Sequence, residues 1–145
     1  MNKLINYLMN RAIIASNSNS YLLADVSYSL RSKCQEWGVN LFFVDDYPSP
    51  IINSCCCVFY ENVRDILLIK ADILLLQTTL NCSFTQAANV ALIHELGHFI
   101  LFISKSEQSE EVAWLEGSRL LHLSNTPVYL YQLAANKYCN SANIK

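Results

Sequence analysis

The chain has 145 residues, of which 52% are hydrophobic and 15% are charged, and its formal net charge is −2. This length fits a single domain, residues 1–145, that can bury a core without metals or disulfides as staples, and the apolar composition argues against disorder. Lys and Arg are scattered singly, so the sequence gives no reason to expect direct binding of nucleic acid or of an anionic membrane.

Residues 1–37 are predicted to form N-terminal helices. Residues 1–21 lack the continuous apolar core and small-residue cleavage site of a secretory signal, so we expect a cytoplasmic protein. The polar run at residues 16–20 is typical of a loop between two helices. The segment Tyr21–Trp37 then has apolar residues at helical spacing, and Gly38 stands where a helix stop is expected.

Residues 38–80 are predicted to form a small sheet region. Three β-prone runs lie there: Val39–Val44, Cys55–Tyr60 and Ile66–Ile69. Their spacing favours a meander or a curved hairpin sheet. Asp72 could cap a short helix over Ile73–Leu80, although a fourth strand fits the same residues nearly as well.

The six cysteines show none of the paired CxxC spacings of a structural zinc site. With no secretory signal, we expect reduced thiols. The consecutive Cys55, Cys56 and Cys57 suit packing on the two faces of a strand, and a reactive or regulatory thiol is the alternative.

Residues 83–123 are predicted to carry two helices of a metal site, and residues 124–145 a C-terminal helix and tail that starts near Thr126 and Pro127. Ser83 and Gln86 match a capping box that opens a helix to about Ile103. This run is apolar enough to mimic a membrane span, but the polar residues at its middle are costly in lipid, so we interpret it as a core helix.

That helix contains the sequence HELGH, which is formed by residues 94–98. His94 and His98 lie one turn apart, so both imidazoles project from one face towards a single ion. Glu95 lies about 100° further round the helix, where its carboxylate can take a proton from metal-activated water as general base. A solvated helix face would not explain the apolar neighbours, so the motif predicts a zinc centre.

A catalytic zinc usually takes three protein ligands, so a third donor is expected downstream. Glu110 is favoured because it shares a helical face with Ala113 and Gly117, whose small side chains would allow a close approach to the HELGH helix. Glu111 is the main rival, since a one-residue shift in the helix start would exchange their directions. Acids that merely complement a helix N-terminus are the alternative explanation.

Several other polar side chains are weaker candidates for the site. Glu107 and Glu116 are further carboxylates on the same stretch, and His122 could be a third ligand or a donor to the oxyanion. Tyr129 and Tyr131 are alternative oxyanion donors. Spacing alone does not separate these options.

HELGH, then Glu110-Glu111-Val112-Ala113 and the run Gly117 to Leu121, together resemble the ImmA/IrrE family of small metallopeptidases. The resemblance covers roughly residues 38–123. It implies an α+β, zincin-like fold in which N-terminal helices and a small sheet pack around the HExxH helix and a following Glu-bearing helix. Trp114 is a departure, because the family often has Asn or Asp there, and support for the metal may differ as a result.

The resemblance implies a zinc-dependent endopeptidase with His94, His98 and Glu110 as ligands and Glu95 as base and acid. Family members often cut helix-turn-helix repressors, so we expect a regulatory protein, supplied in trans, as substrate. The alternative is a non-enzymatic, metal-containing binding module that sequesters a regulator or toxin partner. Ligand types do not distinguish Zn²⁺ from Mn²⁺ or Fe²⁺.

Overall fold

The computed structural model describes residues 2–139 and residue 144, so most of the predicted tail after residue 139 lies outside the described residues. The fold is α+β. Its helices are α1 (Asn2–Ser16), α2 (Ser20–Leu23), α3 (Tyr28–Glu36), α4 (Lys70–Leu80), α5 (Phe84–Ile103), α6 (Glu110–Gly117) and α7 (Val128–Tyr138). Its strands are β1 (Asn40–Val44), β2 (Cys56–Tyr60) and β3 (Val63–Ile69).

The predicted single helix over Tyr21–Trp37 is wrong, because the structure divides this segment into α2 and α3. Ser27 lies between these two helices and separates them. Its hydroxyl accepts the Leu30 N–H at 3.2 Å and caps α3, while its own N–H donates to Asn89 Oδ1 at 2.9 Å. The predicted stop is confirmed, since Gly38 has a φ of +67°.

The sheet has the strand order β1-β3-β2, so of the two predicted arrangements the meander is wrong, whereas a hairpin is present. The hairpin of β2 and β3 is antiparallel, but β1 pairs with β3 in parallel. Residues 66–69 of β3 are fully buried. Because β3 lies between β1 and β2, this apolar run is covered at both edges as well as on both faces. α4 begins at Lys70, directly after β3, which excludes the alternative fourth strand.

The sheet is covered on both faces. α1 lies on one face, where Tyr7 and Ile14 pack against Val44, Leu67 and Ile69. The other face belongs to the main core, to which α5 contributes most of its length. Among the described residues, α5 is the one helix long and apolar enough to cross a membrane, and 67% of its apolar window is buried within the fold.

α6 packs closely against the HELGH helix, as the small residues predicted. A side-chain carbon on Gly97 would collide with the Ala113 carbonyl, and one on Gly117 would lie 2.6 Å from the Ile93 carbonyl oxygen. The second helix predicted within residues 83–123 is only partly correct, because α-helix ends at Gly117 and the chain continues as a 3-10 helix, Ser118–Leu123. The contacts at Gly97 and Gly117 place the start of α6 beside α5.

A buried carboxylate on β3 ties α1 to the sheet. Asp65 accepts hydrogen bonds from Tyr7 Oη at 2.7 Å, from Arg11 Nε at 2.6 Å and Nη2 at 3.0 Å, and from Asn40 Nδ2 at 3.0 Å. Burial alone would raise the pKa of Asp65, but these hydrogen bonds outweigh it and hold the pKa below its usual value. The ionised form is therefore the one that the fold stabilises.

We expect this carboxylate to make folding sensitive to acid. A folded-state pKa below the unfolded value of about 3.9 adds stability above that pH, and this stability is lost as the pH falls through the folded-state pKa. Asp65→Asn should lower the free energy of unfolding at pH 7 by about 1–3 kcal/mol and flatten its fall between pH 5 and pH 2. Denaturant unfolding across this range measures both, with the exposed Asp46→Asn as control. Equal pH profiles for Asp65→Asn and the wild type would contradict the account.

Candidate metal centre

Two histidines of α5 form one side of the centre. The capping box at Ser83 and Gln86 is present as predicted and fixes the start of this helix. His94 and His98 follow one turn apart, and their ring centroids are 4.8 Å from each other. The donor atoms of His94, Glu95 and His98 all lie within 4.8 Å of one another.

The first residue of α6 completes the group. Ser109 caps this helix by accepting the Val112 N–H, and Glu110 follows directly. Its Oε1 lies 3.1 Å from His94 Nε2, and its Oε2 lies 2.7 Å from His98 Nε2. The structure thus brings Glu110 into contact with both imidazoles, whereas the rival Glu111 does not line the cleft described below.

The electrostatics of this contact favour positive charge between the three side chains. Hydrogen bonds to His94 and His98 hold the pKa of Glu110 well below its usual range. Burial lowers the pKa of His98, but its hydrogen bonds to Glu110 and Gln108 outweigh burial and the pKa is raised. An ionised carboxylate held between two imidazoles attracts a cation, which can be a proton or a metal ion.

Glu95 has different surroundings from Glu110. It is 7% exposed, and its burial raises its pKa above the usual value. The neighbouring histidines and a hydrogen bond from the Cys57 thiol lower the pKa, but burial outweighs them. Glu110, by contrast, contacts both Nε2 atoms. Of the two carboxylates, Glu110 is therefore the one in contact with both imidazoles, and Glu95 is the buried one beside them.

A cleft of about 540 Å³ opens on these residues. Its walls include Cys55, Cys57, Asp72, His94, Glu95, His98, Glu110, Trp114 and Tyr138. Sequence reasoning did not assign Cys57, Asp72 or Tyr138 to the site. The alternation of side chains along a strand was the available signal for Cys57, since it places Cys55 and Cys57 together on the face towards α5.

The cysteine triplet packs on both faces of the sheet. Cys57 contacts the main core, Cys56 contacts the core under α1, and Cys55 contacts both. Cys55 Sγ also accepts the Ile69 N–H at 3.3 Å. Burial raises the pKa of Cys55 and of Cys57 well above the usual thiol value, so both side chains are neutral thiols at neutral pH.

The other predicted candidates lie outside the cleft lining. His122 and Tyr129 are exposed, and Tyr131 is buried with its hydroxyl donating to the Trp114 carbonyl at 2.8 Å. Glu107 is exposed, and Glu116 forms an ion pair with Arg119 at 2.9 Å. Among the tyrosines, it is Tyr138 that borders the cleft.

The Nδ1 atoms of the two histidines differ in their hydrogen bonding. His98 Nδ1 lies 2.8 Å from Gln108 Oε1, and Gln108 Nε2 donates to the His98 carbonyl at 3.1 Å. No role for Gln108 was predicted from the sequence. His94 Nδ1 is buried and has no hydrogen-bond partner within the part of the chain that the structure describes.

The donor set fits zinc. Two imidazoles and one carboxylate are the protein ligands of many catalytic zinc sites, which reserve a further position for water or substrate. A hydrogen bond from His98 Nδ1–H to Gln108 leaves the Nε2 lone pair for a metal. Glu110 already contacts both Nε2 atoms. One ion can therefore replace the protons that this contact otherwise needs.

No protein-family model, curated protein or solved structure matches this chain. The resemblance to the ImmA/IrrE family therefore stays a prediction from the motifs.

The choice between Glu110 and Glu111 can be tested by zinc affinity. Loss of a supporting residue outside the ligand set already weakens metal binding about 10–100-fold, so Glu110→Gln should weaken zinc binding by at least about 100-fold. Glu111→Gln is the matched control and should change the affinity less than about threefold. Competition with a chromophoric chelator measures both constants. A larger loss in Glu111→Gln than in Glu110→Gln would overturn the assignment.

Proposed function

We propose that this chain is a zinc-dependent endopeptidase with a zincin-like arrangement. The observation that carries the proposal is the contact of Glu110 with both Nε2 atoms, next to the buried Glu95 and at the wall of an open cleft. The α+β fold, with the HExxH helix packed on a Glu-bearing helix, is compatible with this proposal.

In this proposal His94, His98 and Glu110 hold the ion. Zinc, when bound, supplies Lewis-acid polarisation of the scissile carbonyl and acidifies the attacking water. Glu95 accepts a proton from that water at its carboxylate and returns the proton to the leaving amine. Its buried position supports this role, because a raised pKa makes the carboxylate a better base. The thiol of Cys57 donates to this carboxylate and orients it.

Tyr138 is our candidate for stabilising the oxyanion. Tyr138 is 55% exposed, and partial loss of contact with water, together with the negative charge of Asp72, raises the pKa of its phenol, so the hydroxyl stays protonated at neutral pH. A neutral O–H at the cleft wall can donate to an oxygen that gains negative charge. This residue replaces His122, Tyr129 and Tyr131 in that proposed role.

An extended peptide suits the surface beside the site. β2 is an edge strand of the described sheet, and a groove of about 320 Å³ runs along it, bordered also by Leu4, Tyr7 and residues 51–54. This groove shares Ser54, Cys56 and Cys57 with the metal cleft. A peptide that adds to the edge strand would therefore lead into the cleft.

The resemblance to the ImmA/IrrE family supports a regulatory protein as substrate. We propose a cytoplasmic enzyme that acts on a repressor-type protein supplied in trans, such as a helix-turn-helix repressor. The proposal includes no direct contact with nucleic acid and no membrane.

A second candidate function is a binding module that holds the metal and sequesters its partner without cutting it. Its support is an apolar strip on the outer side of α1, where Ile5, Met9 and Ile13 are 47%, 78% and 59% exposed. Exposed apolar patches of this kind often mark protein contacts.

Replacement of the base separates the two functions. Glu95→Gln should bind zinc like the wild type but cleave co-encoded repressor candidates at least about 100-fold more slowly, because general base catalysis is worth 10²–10⁴-fold. The exposed Glu107→Gln is the control and should cleave at the wild-type rate. Mass spectrometry of the candidates, with and without chelator, follows the reaction. Full cleavage by Glu95→Gln would contradict the mechanism, and a bound but intact partner would favour sequestration.

A further inference from the structure

The two histidines of the metal centre are held in different ways. Histidines that ligate metals almost always donate the second ring N–H to an acceptor, which fixes the orientation of the ring. His98 has this arrangement, since its Nδ1 lies 2.8 Å from Gln108 Oε1. His94 does not, because its buried Nδ1 has no hydrogen-bond partner in the described part of the chain. Something else must orient the His94 ring.

An indole ring lies directly against His94. The centroids of His94 and Trp114 are 4.0 Å apart, and the ring planes differ by only 19°. Trp114 also borders the metal cleft. The stacked indole therefore covers one face of the imidazole while the ring edge with Nε2 remains directed at Glu110.

Trp114 is itself held firmly. It is 2% exposed, its carbonyl accepts the Tyr131 hydroxyl at 2.8 Å, and its ring meets the Tyr131 ring edge to face at 5.0 Å. The preceding residue, Ala113, has its carbonyl against Gly97, so the backbone of α6 cannot shift outwards without losing this contact. The indole is thus enclosed by packing, while its Nε1, like His94 Nδ1, has no hydrogen-bond partner among the described residues.

We propose that Trp114 is a positioning residue that orients His94 for metal binding by stacking, in place of a hydrogen bond at Nδ1. The inference rests on the proposed metal centre. An imidazole gains positive charge when it binds a cation, and the electron-rich face of an indole stabilises such charge. The same contact therefore fixes the ring and favours its metal-bound form.

A purely structural role for Trp114 would predict a different pattern. A buried tryptophan always fills volume, so its loss costs stability whatever its role. Stacking, however, needs an aromatic face and not only bulk. Trp114→Phe keeps such a face and Trp114→Leu removes it, while both variants leave space in the core. Zinc affinity separates the two roles, and the unfolding free energy of the zinc-free protein reports the shared structural cost.

We expect Trp114→Leu to weaken zinc binding about 10–100-fold, the range typical of residues that orient ligands, and Trp114→Phe to weaken it only a few-fold. Gln108→Ala removes the corresponding support of His98 and should also weaken zinc binding about 10–100-fold. Chelator competition gives the constants, and the visible spectrum of the Co²⁺-loaded protein should change in Trp114→Leu more than in Trp114→Phe. Equal zinc affinities for the Leu and Phe variants would overturn the inference.

A second experiment avoids any loss of packing. The chain has two tryptophans, so a Trp37→Phe background leaves Trp114 as the only indole. Fluorinated tryptophans incorporated there keep the size of the ring nearly constant but weaken its electron-rich face. Zinc affinity should then fall step by step with the number of fluorine atoms. An affinity that stays constant along the series would overturn the inference while the metal centre stands, whereas a wild-type protein without zinc affinity would overturn both.

Discussion

The close contact of α5 with α6 sets the position of the groups that matter for the proposed chemistry. Gly97 lies against the Ala113 carbonyl and Gly117 against the Ile93 carbonyl, and any side chain at either position would push the helices apart. At this distance the first residue of α6 reaches both histidines, and Trp114, one turn further, reaches the face of His94. The two glycines thus set the positions of the proposed ligand Glu110 and of the proposed positioning residue Trp114.

Three carboxylates of the fold, the buried Asp65 and Glu95 and the exposed Glu110, are compensated to different degrees. Asp65 accepts four hydrogen bonds, two of them from the guanidinium of Arg11, and these bonds hold α1 on the sheet. Glu110 has only two imidazoles, which can exchange their protons for a metal ion. Glu95 has still weaker compensation and a raised pKa. The proposed chemistry therefore lies where neutralisation is incomplete, which is where a site gains from binding a cation.

Local signals made most of the helices predictable. The capping box, the stop at Gly38 and the histidine spacing each depend on residues within one or two turns. The small residues at 113 and 117 correctly predicted the close approach of α6 to α5, which brings Glu110 into contact with both histidines. The parallel pairing of β1 with β3 and the break at Ser27, which depends on Asn89, come from residues far apart in sequence. The contacts of Gln108 and Cys57 at the candidate site were not predicted for the same reason. They form only where α5 packs against the segment between α5 and α6 and against the edge strand β2.

The proposed chemistry depends on His94, His98 and Glu110 forming one zinc centre. X-ray absorption spectroscopy of the zinc-loaded protein tests it most directly, because it reports the ligand atoms themselves. We predict one zinc per chain with nitrogen and oxygen ligands at about 2.0–2.2 Å, two of them imidazoles, and no sulfur. A sulfur ligand at about 2.3 Å, as from a cysteine of the triplet, or a protein that takes up no zinc would contradict it.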